Sequence, residues 1–437
     1  MKVRSFDSVV DEARLAASPA ESVVRYLEDR GARVAKKPFS DTADEKFEQA
    51  LLDRHDPLID LALGRWCCHI ATGRALLAAN AGDNTQALAI RLSLLSNVTA
   101  GASSMSNGPT AFFGESPMDW FPSATDEELT AYFNNPSLNN QFLEAFFNGG
   151  PSWVCLSEPQ RLTALRALTS NPRMSTPYDQ SFADGYAEYT HNKVFEAAWN
   201  MAGTVPNTRP WAFALAWLFD VLLPIGHGVD DPLALAARWM PDDDEGVKHG
   251  SLSPFQHVRK GLARLALAKN AARADEFLAS DDPALRAAVY ASRRLNAEQI
   301  AAAVERDGAM GFDGMVRNEE LWRSQDHRDA LRDASWTVVQ ADPSSDLLPH
   351  NLFTGMWERM EQEHPSWFDD VAPSAPDDLD VPATRADIQR VLETLSGSNT
   401  GTGLQQLAIA IQALNQRLGW VWWFSLGALV ASISHRI

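Results

Sequence analysis

Apolar positions along this chain recur at helical spacing over most of its length. In "SPAESVVRYLEDRG", Val23, Val24 and Leu27 fall on one face of a predicted helix, and Gly31 is expected to end it. Alternation of apolar and polar residues with a period of two, which is typical of half-buried strands, is nearly absent. The pattern therefore predicts an all-α protein with about 18 to 20 helices of ordinary length.

Several predicted helices begin with recognisable capping residues. A hydroxyl or amide side chain at the N-cap accepts a free backbone N–H of the first turn, and Glu or Gln three residues later bonds back to it. These pairs are Ser18 with Glu21, Thr125 with Glu128, and Ser157 with Gln160, and Asn296 caps a further helix that Gly308 is expected to end.

One short motif recurs along the chain. It consists of Asn or Asp, then Pro, then an apolar residue at the next position or the one after. It occurs at Asp56-Pro57, Asn135-Pro136, Asn171-Pro172, Asp231-Pro232 and Asp282-Pro283, with a degenerate copy at Asn318-Glu319. We interpret each copy as a helix start, because the side chain caps the first turn and proline fits its first position. The copies at Asn135 and Asn171 are 36 residues apart, as are those at Asp282 and Asn318, which favours stacked helix pairs.

Two segments carry a family resemblance. "FNNPSLNNQFLEAFF" and "FLASDDPALRAAVYASRRLNAEQIAAAVERDG" resemble bacterial HEAT-like or leucine-rich-repeat-variant α-solenoids, in which an Asn-Pro or Asp-Pro turn opens each helix pair. The resemblance covers residues 51–177 and 270–339 and is degenerate. It implies a helical-repeat fold that binds other proteins, and it carries no catalytic residues.

Composition shifts divide the chain into four parts. We predict N-terminal helices in residues 1–50, a solenoid body in 51–372, a linker and hinge in 373–403, and a C-terminal helix in 404–437. Within the body, residues 178–240 form an aromatic-rich centre that includes "RPWAFALAWLFDVLLP". That stretch predicts a buried central helix. For the cluster of Trp199, Trp211 and Trp217, we favour packing in the core over the lining of a ligand pocket.

Charge and candidate chemistry narrow the function classes. The net charge of −19 argues against a broad nucleic-acid surface, which needs Lys and Arg to neutralise phosphates. The only reactive-looking cluster, Cys67-Cys68-His69, lies within "LIDLALGRWCCHIATGRALL", which predicts one apolar helix. Because adjacent helical residues diverge by about 100°, we expect core packing and no metal site. The sequence predicts no cofactor and no catalytic residue.

The C-terminal segment is the sharpest feature of the sequence. Residues 418–434 are uncharged, and as a helix they would span about 25 Å, which is at the low end for crossing a hydrocarbon core. The predicted membrane-inserting residues are Leu418, Trp420, Val421, Trp422, Trp423, Phe424, Leu426, Leu429, Val430 and Ile433. The predicted self-association residues are Leu404, Leu407, Ile411 and Leu414, which form a heptad seam with Leu418, and Gly427 and Ala431, which allow close helix contact.

Together these features predict a non-enzymatic protein-binding solenoid of a bacterium. Its body would lie in the cytoplasm, and its C-terminal helix would attach to or insert in the inner membrane and join copies into a homo-oligomer. By analogy, a switchable defence or cell-killing effector fits this plan. Two alternatives stay open: a soluble homo-oligomeric scaffold or adaptor in which the C-terminal helix joins the copies, and an enzyme with its site in the aromatic centre.

Overall fold

The protein is all-helical in the computed structural model. The structure describes residues 15–36, 45–82, 84–99, 108–175, 185–225, 228–240, 252–341 and 348–368. Nineteen α-helices and several short 3₁₀ helices lie in these ranges, and no strand does. Chain contacts divide the protein into two units, Met1–Glu363 and His364–Ile437, and the described part of the second unit is a 3₁₀ turn at Pro365–Trp367.

The α-helices of the first unit are numbered here in chain order. They are α1 Ala20–Lys36, α2 Glu45–Leu52, α3 Pro57–Trp66, α4 Ile70–Ala79, α5 Thr85–Leu95, α6 Pro117–Trp120, α7 Asp126–Phe133, α8 Asn140–Phe147, α9 Pro151–Val154, α10 Glu158–Leu168, α11 Gly185–Asn200, α12 Arg209–Val221, α13 Pro232–Ala237, α14 Pro254–Lys269, α15 Ala274–Ala279, α16 Pro283–Tyr290, α17 Ala297–Val316, α18 Gln325–Ala341 and α19 Leu348–Glu363.

The predicted capping residues begin the helices as expected at three places. Capping boxes form between Thr125 and Glu128, between Ser157 and Gln160, and at Asn296 with Gln299 as its partner. Gly308 also interrupts the helical path, because its φ of 55° is non-helical and bends α17 at that residue.

The expected helix end at Gly31 was wrong. Helix α1 continues through Gly31 to Lys36. A Cβ at Gly31 would lie 1.9 Å from Cε3 of Trp66, which is the last residue of α3. The glycine is therefore required by close packing between α1 and α3 and not by a change of backbone direction.

Contacts between helices follow the order of the chain. Helices α1, α3, α5, α7, α10, α12, α14 and α16 form a series in which each member packs on the next. Helices outside this series also pack on one another: α2 packs on α4, and α8 packs on α11. Among the described residues, one hydrophobic core cluster is made of residues between Val23 and Phe112, and a larger one of residues between Leu95 and Leu265.

Buried asparagine side chains join the ends of successive helices in this series. Asn171 Nδ2 donates to the carbonyl oxygens of Phe133 and Asn135, at 2.9 and 3.0 Å. Asn135 Nδ2 donates in the same way to Leu95 and Asn97, at 2.9 and 2.8 Å. Since each asparagine contacts the carbonyl of the previous one, we call this connected set the asparagine ladder.

The ladder continues toward the N-terminus and has a separate copy near the C-terminal end of the body. Asn97 Nδ2 donates to the carbonyl oxygens of Gly64 and Cys67, at 3.0 and 3.1 Å. Asn318 Nδ2 donates to those of Tyr290 and Arg293, at 2.9 and 2.7 Å. In all four cases the side-chain oxygen accepts the backbone N–H two residues later. The four asparagines are almost fully buried, so their amides satisfy backbone carbonyls that water does not reach.

The Asp and Asn copies of the recurring motif therefore have different roles. Asp56, Asp231 and Asp282 cap helices that start with proline, as the sequence predicts. Asn135 starts no helix, and Asn171 starts only the 3₁₀ turn Pro172–Met174. The chemical reason is that a carboxylate only accepts hydrogen bonds, whereas an amide can cap its own turn and also donate to the preceding helix end.

We predict that Asn171→Asp lowers the free energy of unfolding by about 2–4 kcal/mol, because two buried carbonyls lose their donor and a carboxylate is buried beside them. Urea denaturation followed by circular dichroism measures this change. The matched control is Asn139→Asp, because exposed Asn139 caps α8 by accepting the Gln141 N–H, a role that Asp performs equally well. Equal losses in the two variants would contradict the role assigned to the ladder.

Candidate functional site

The residues predicted to insert in a membrane or to join copies of the protein lie outside the described residues. This holds for all positions from Leu404 to Ile433 named above and for the linker and hinge at 373–403. Within the described ranges, no helix combines the length and the apolar character that a membrane crossing requires. The predictions for the C-terminal segment therefore stay predictions.

The Cys67-Cys68-His69 segment is not part of one helix, contrary to the sequence prediction. These three residues separate α3 from α4, and His69 is the N-cap residue of α4 without a capping side-chain bond. Cys67 is fully buried, as core packing predicts, but Cys68 is only partly buried. No group of three or more His, Cys, Asp or Glu side chains suited to a metal ion occurs in the described part of the chain.

A buried carboxylate explains why the chain can break there. Glu48 of α2 is fully buried, and its two oxygens accept the backbone N–H groups of Cys68 and His69, at 2.7 and 3.3 Å. The hydroxyl of Thr72 donates to the same carboxylate at 2.6 Å. Glu48 thus supplies to α4 the capping acceptor that His69 does not provide, and its negative charge faces the positive end of the helix dipole.

The aromatic residues of the centre do not converge on one pocket. Trp199 is buried against Phe219, with ring centroids 4.4 Å apart. Trp211 is buried beside Trp153, and its indole N–H donates to Glu158 at 2.8 Å. These two residues confirm the core-packing prediction. Trp217 does not, because 64% of it is exposed.

Trp217 belongs to an exposed face of α12, which we call the aromatic face. The exposed residues of α12 include Arg209, Phe213, Trp217 and Asp220. Their steps of four, four and three place them on one side of the helix. Phe213 is 43% exposed, and the guanidinium carbon of Arg209 lies 5.9 Å from the centre of its ring. Two large aromatic side chains thus occupy positions where a helix of this kind normally presents polar residues to solvent.

Charged side chains from α14 border one end of the aromatic face. Lys260 Nζ lies 2.7 Å from Asp220 Oδ1, and His257 Nδ1 lies 3.9 Å from Asp220 Oδ2. Burial lowers the pKa of His257, and the nearby Lys260 lowers it further against the opposing effect of Asp220. The face therefore has an apolar centre and a polar border, which is the usual anatomy of a protein-binding surface.

A small cleft of about 220 Å³ lies at the other end of α12. It is lined by Trp153, Glu158, Arg161 and Trp211 among others. Arg161 covers the ring of Trp153 at 5.1 Å and donates to the carbonyl of the same residue, while Glu158 accepts from Trp211. Arg161 and Glu158 thus bond to other residues that line the cleft, and the cleft adds no support to the enzyme alternative.

One serine–histidine pair lies elsewhere in the body. Ser335 Oγ and His350 Nδ1 are 3.4 Å apart, both residues are buried, and the serine hydroxyl donates to the carbonyl of Arg332. The ring of His350 stacks on Trp336 with centroids 4.2 Å apart. These contacts are typical of a packed histidine, and burial lowers its pKa.

Acidification should expose this histidine's contribution to stability. Because the pKa of His350 is lower in the folded chain than in the unfolded one, its stabilising effect is complete above the unfolded value of about 6.5 and is lost as the pH falls through the folded value. We predict that wild type loses up to about 1 kcal/mol more stability than His350→Phe between pH 7.5 and 5.5. Urea titrations at both pH values measure this, and identical losses would contradict it.

Replacing both exposed aromatics should cost little stability. Phe213→Ser with Trp217→Ser is expected to change the free energy of unfolding by less than about 0.5 kcal/mol for each substitution, because exposed side chains lose little contact on truncation. Trp211→Ala, on the same helix but at a buried position, should cost about 3–5 kcal/mol. Thermal melting compares the variants, and a large loss in the double variant would show that the aromatic face is covered in the folded protein.

Comparisons with known proteins returned no relatives. No protein-family model matches the chain, and neither the curated proteins nor the solved structures contain a match. The resemblance to HEAT-like families therefore stays a prediction.

Proposed function

We propose that the body is a HEAT-like helical-repeat solenoid. The asparagine ladder supports this proposal, because the same side-chain geometry recurs at Asn97, Asn135, Asn171 and Asn318. Packing of the helix series in chain order supports it as well, since in a solenoid each repeat contacts its neighbours. Stacked repeats of this type expose a continuous row of helix faces on which a partner can bind.

We propose that the protein acts by binding another protein through the aromatic face of α12. The observation that carries this proposal is the exposure of Phe213 and Trp217 on one side of a helix that buries its other two aromatic residues, Trp211 and Phe219. Trp and Arg are enriched among residues that dominate binding energy, and Arg209 lies on the same face. A partner that covers this face would need an apolar side chain at the centre of its own surface.

We propose further that the C-terminal segment attaches the protein to the inner membrane and joins copies of it. The support is the sequence alone: residues 418–434 are uncharged, and Trp420, Trp422 and Trp423 gather near one end, as in interfacial belts. The heptad seam from Leu404 to Leu418 is the proposed self-association surface. A body that binds a partner and a tail that enters a membrane would suit a switchable effector, and without membrane attachment the same chain would be a homo-oligomeric scaffold.

Photo-crosslinking can test the proposed binding surface. A photoreactive phenylalanine analogue placed at position 217 or 213 should capture the same partner in cells, and the analogue at position 58 should not. Leu58 is a suitable control, because it is 54% exposed and lies on α3. With that partner purified, Trp217→Ala should weaken binding about tenfold or more, and Leu58→Ala should leave it unchanged. Equal capture at position 58, or unchanged affinity of Trp217→Ala, would contradict the proposal.

Liposome flotation can test the proposed role of the tail. Wild type should float with vesicles of phosphatidylethanolamine and phosphatidylglycerol, and Leu426→Arg should not, since a charge at the centre of a spanning helix costs about 2.5–3.5 kcal/mol. Leu407→Gln with Ile411→Gln should keep flotation and weaken self-association in analytical ultracentrifugation. If wild type stays at the bottom of the gradient even with its partner present, membrane attachment is wrong and the scaffold alternative takes its place.

A further inference from the structure

We propose that Cys68 is a site of reversible oxidation by hydrogen peroxide and that Arg30 promotes the reaction by stabilising the thiolate. The two residues come from different elements. Arg30 lies on α1, and Cys68 lies in the break between α3 and α4. Arg30 Nη2 donates to Cys68 Sγ at 2.7 Å.

The guanidinium group of Arg30 is buried with few hydrogen-bond partners. Arg30 is 3% exposed, and its Nε and Nη1 have no hydrogen-bond partner among the described residues. The nearest carboxylate is that of Glu48, whose Oε1 is 3.5 Å from Arg30 Nη2. A buried cation with so few partners favours a negative charge beside it, and the sulfur is the closest atom that can carry one.

The carboxylate of Glu48 accepts hydrogen bonds from several groups other than Arg30. Its oxygens accept two backbone N–H groups at the start of α4 and the Thr72 hydroxyl. The carboxylate repels a thiolate at Cys68, but these donors and the start of the α4 dipole offset part of its charge. A cysteine next to an arginine and just before a helix N-terminus is the environment in which thiolates are stabilised.

The three cysteines differ in burial and in their contacts with charged side chains. Cys67 is fully buried, and burial raises the pKa of its thiol. Cys155 is partly exposed like Cys68, but no described residue donates a hydrogen bond to its sulfur. Cys68 alone of the three combines access to solvent with a contacting cation, so reactivity should concentrate there.

The proposed step is a two-electron oxidation of sulfur. The Cys68 thiolate attacks one oxygen of hydrogen peroxide, an S–O bond forms, and the O–O bond breaks. Hydroxide leaves and takes a proton from solvent to give water, and the product is a sulfenic acid. The Nη1 and Nε groups of Arg30 would then be available as donors to the new oxygen. Glutathione reverses the oxidation in two steps: a first thiolate attacks the Cys68 sulfur, the S–O bond breaks, water leaves and a mixed disulfide forms. A second glutathione thiolate attacks the glutathione sulfur of that disulfide, which releases Cys68 as its thiolate and gives oxidised glutathione.

Single-cysteine variants of the full-length chain test the proposal. The first variant combines Cys67→Ser with Cys155→Ser, so that Cys68 is its single cysteine. The second variant combines Cys67→Ser with Cys68→Ser, so that Cys155 is its single cysteine. Both proteins are treated with hydrogen peroxide at pH 7, and the sulfenic acid is trapped with a dimedone probe and quantified by mass spectrometry. We expect Cys68 to be labelled at least about tenfold faster than Cys155.

Arg30→Met in the Cys68 protein should lower the labelling rate to that of Cys155. Circular dichroism establishes whether this variant is folded, because the substitution removes a buried contact between α1 and the segment before α4. If it does not fold, the ratio of the Cys68 and Cys155 rates in the Arg30 background decides the question. Equal rates in that background, or an unchanged rate in folded Arg30→Met, would overturn the proposal.

Discussion

The carbonyl groups at the ends of the stacked helices must find hydrogen-bond donors, and this requirement organises the body of the protein. A helix leaves its last carbonyls without partners, and buried carbonyls without donors are costly. Here the donors come from asparagine side chains one helix further along the series. Each asparagine therefore connects the end of one helix to the turn that follows the next helix of the series. The position of one helix thus determines where its neighbour can lie.

This arrangement has a consequence for function. When the helix ends and the sides of the helices are used in packing, the outward face of each helix is left for binding. On α12 that face carries Phe213 and Trp217, which are 43% and 64% exposed. The same reasoning applies at the N-terminal end, where a buried Glu48 completes the start of α4 and brings Arg30 against Cys68. In both places the packing that completes the fold leaves side chains near solvent: the two aromatics of α12 and the partly buried Cys68.

The sequence predicts the local features of this structure better than the long-range ones. The helix class and the caps at Thr125, Ser157 and Asn296 follow from residues a few positions apart, so the pattern predicts them correctly. The helix end at Gly31 was wrong, because the need for glycine comes from Trp66, which is distant in sequence. The 36-residue spacing between Asn135 and Asn171 favoured stacked helix pairs, but the carbonyls that their amides reach are visible only in the structure.

The candidate sites show the same division. Helical period alone puts Arg209, Phe213, Trp217 and Asp220 on one side of α12, so the aromatic face was detectable in the sequence although the segment was predicted to be buried. The contact between Arg30 and Cys68 joins residues 38 positions apart, and no local pattern signals it. The proposed membrane and self-association residues from Leu404 to Ile433 depend on sequence alone.

Hydrogen–deuterium exchange of Asn135→Ala is the most direct test of the central role of the ladder. Removing this amide takes the donor from the Leu95 and Asn97 carbonyls and the capping oxygen from the Ser137 N–H. The account predicts faster exchange in peptides covering the ends of α5 and α7, with unchanged exchange in α17 and α18. Exchange that is unchanged everywhere, or that rises equally in α18, would contradict it.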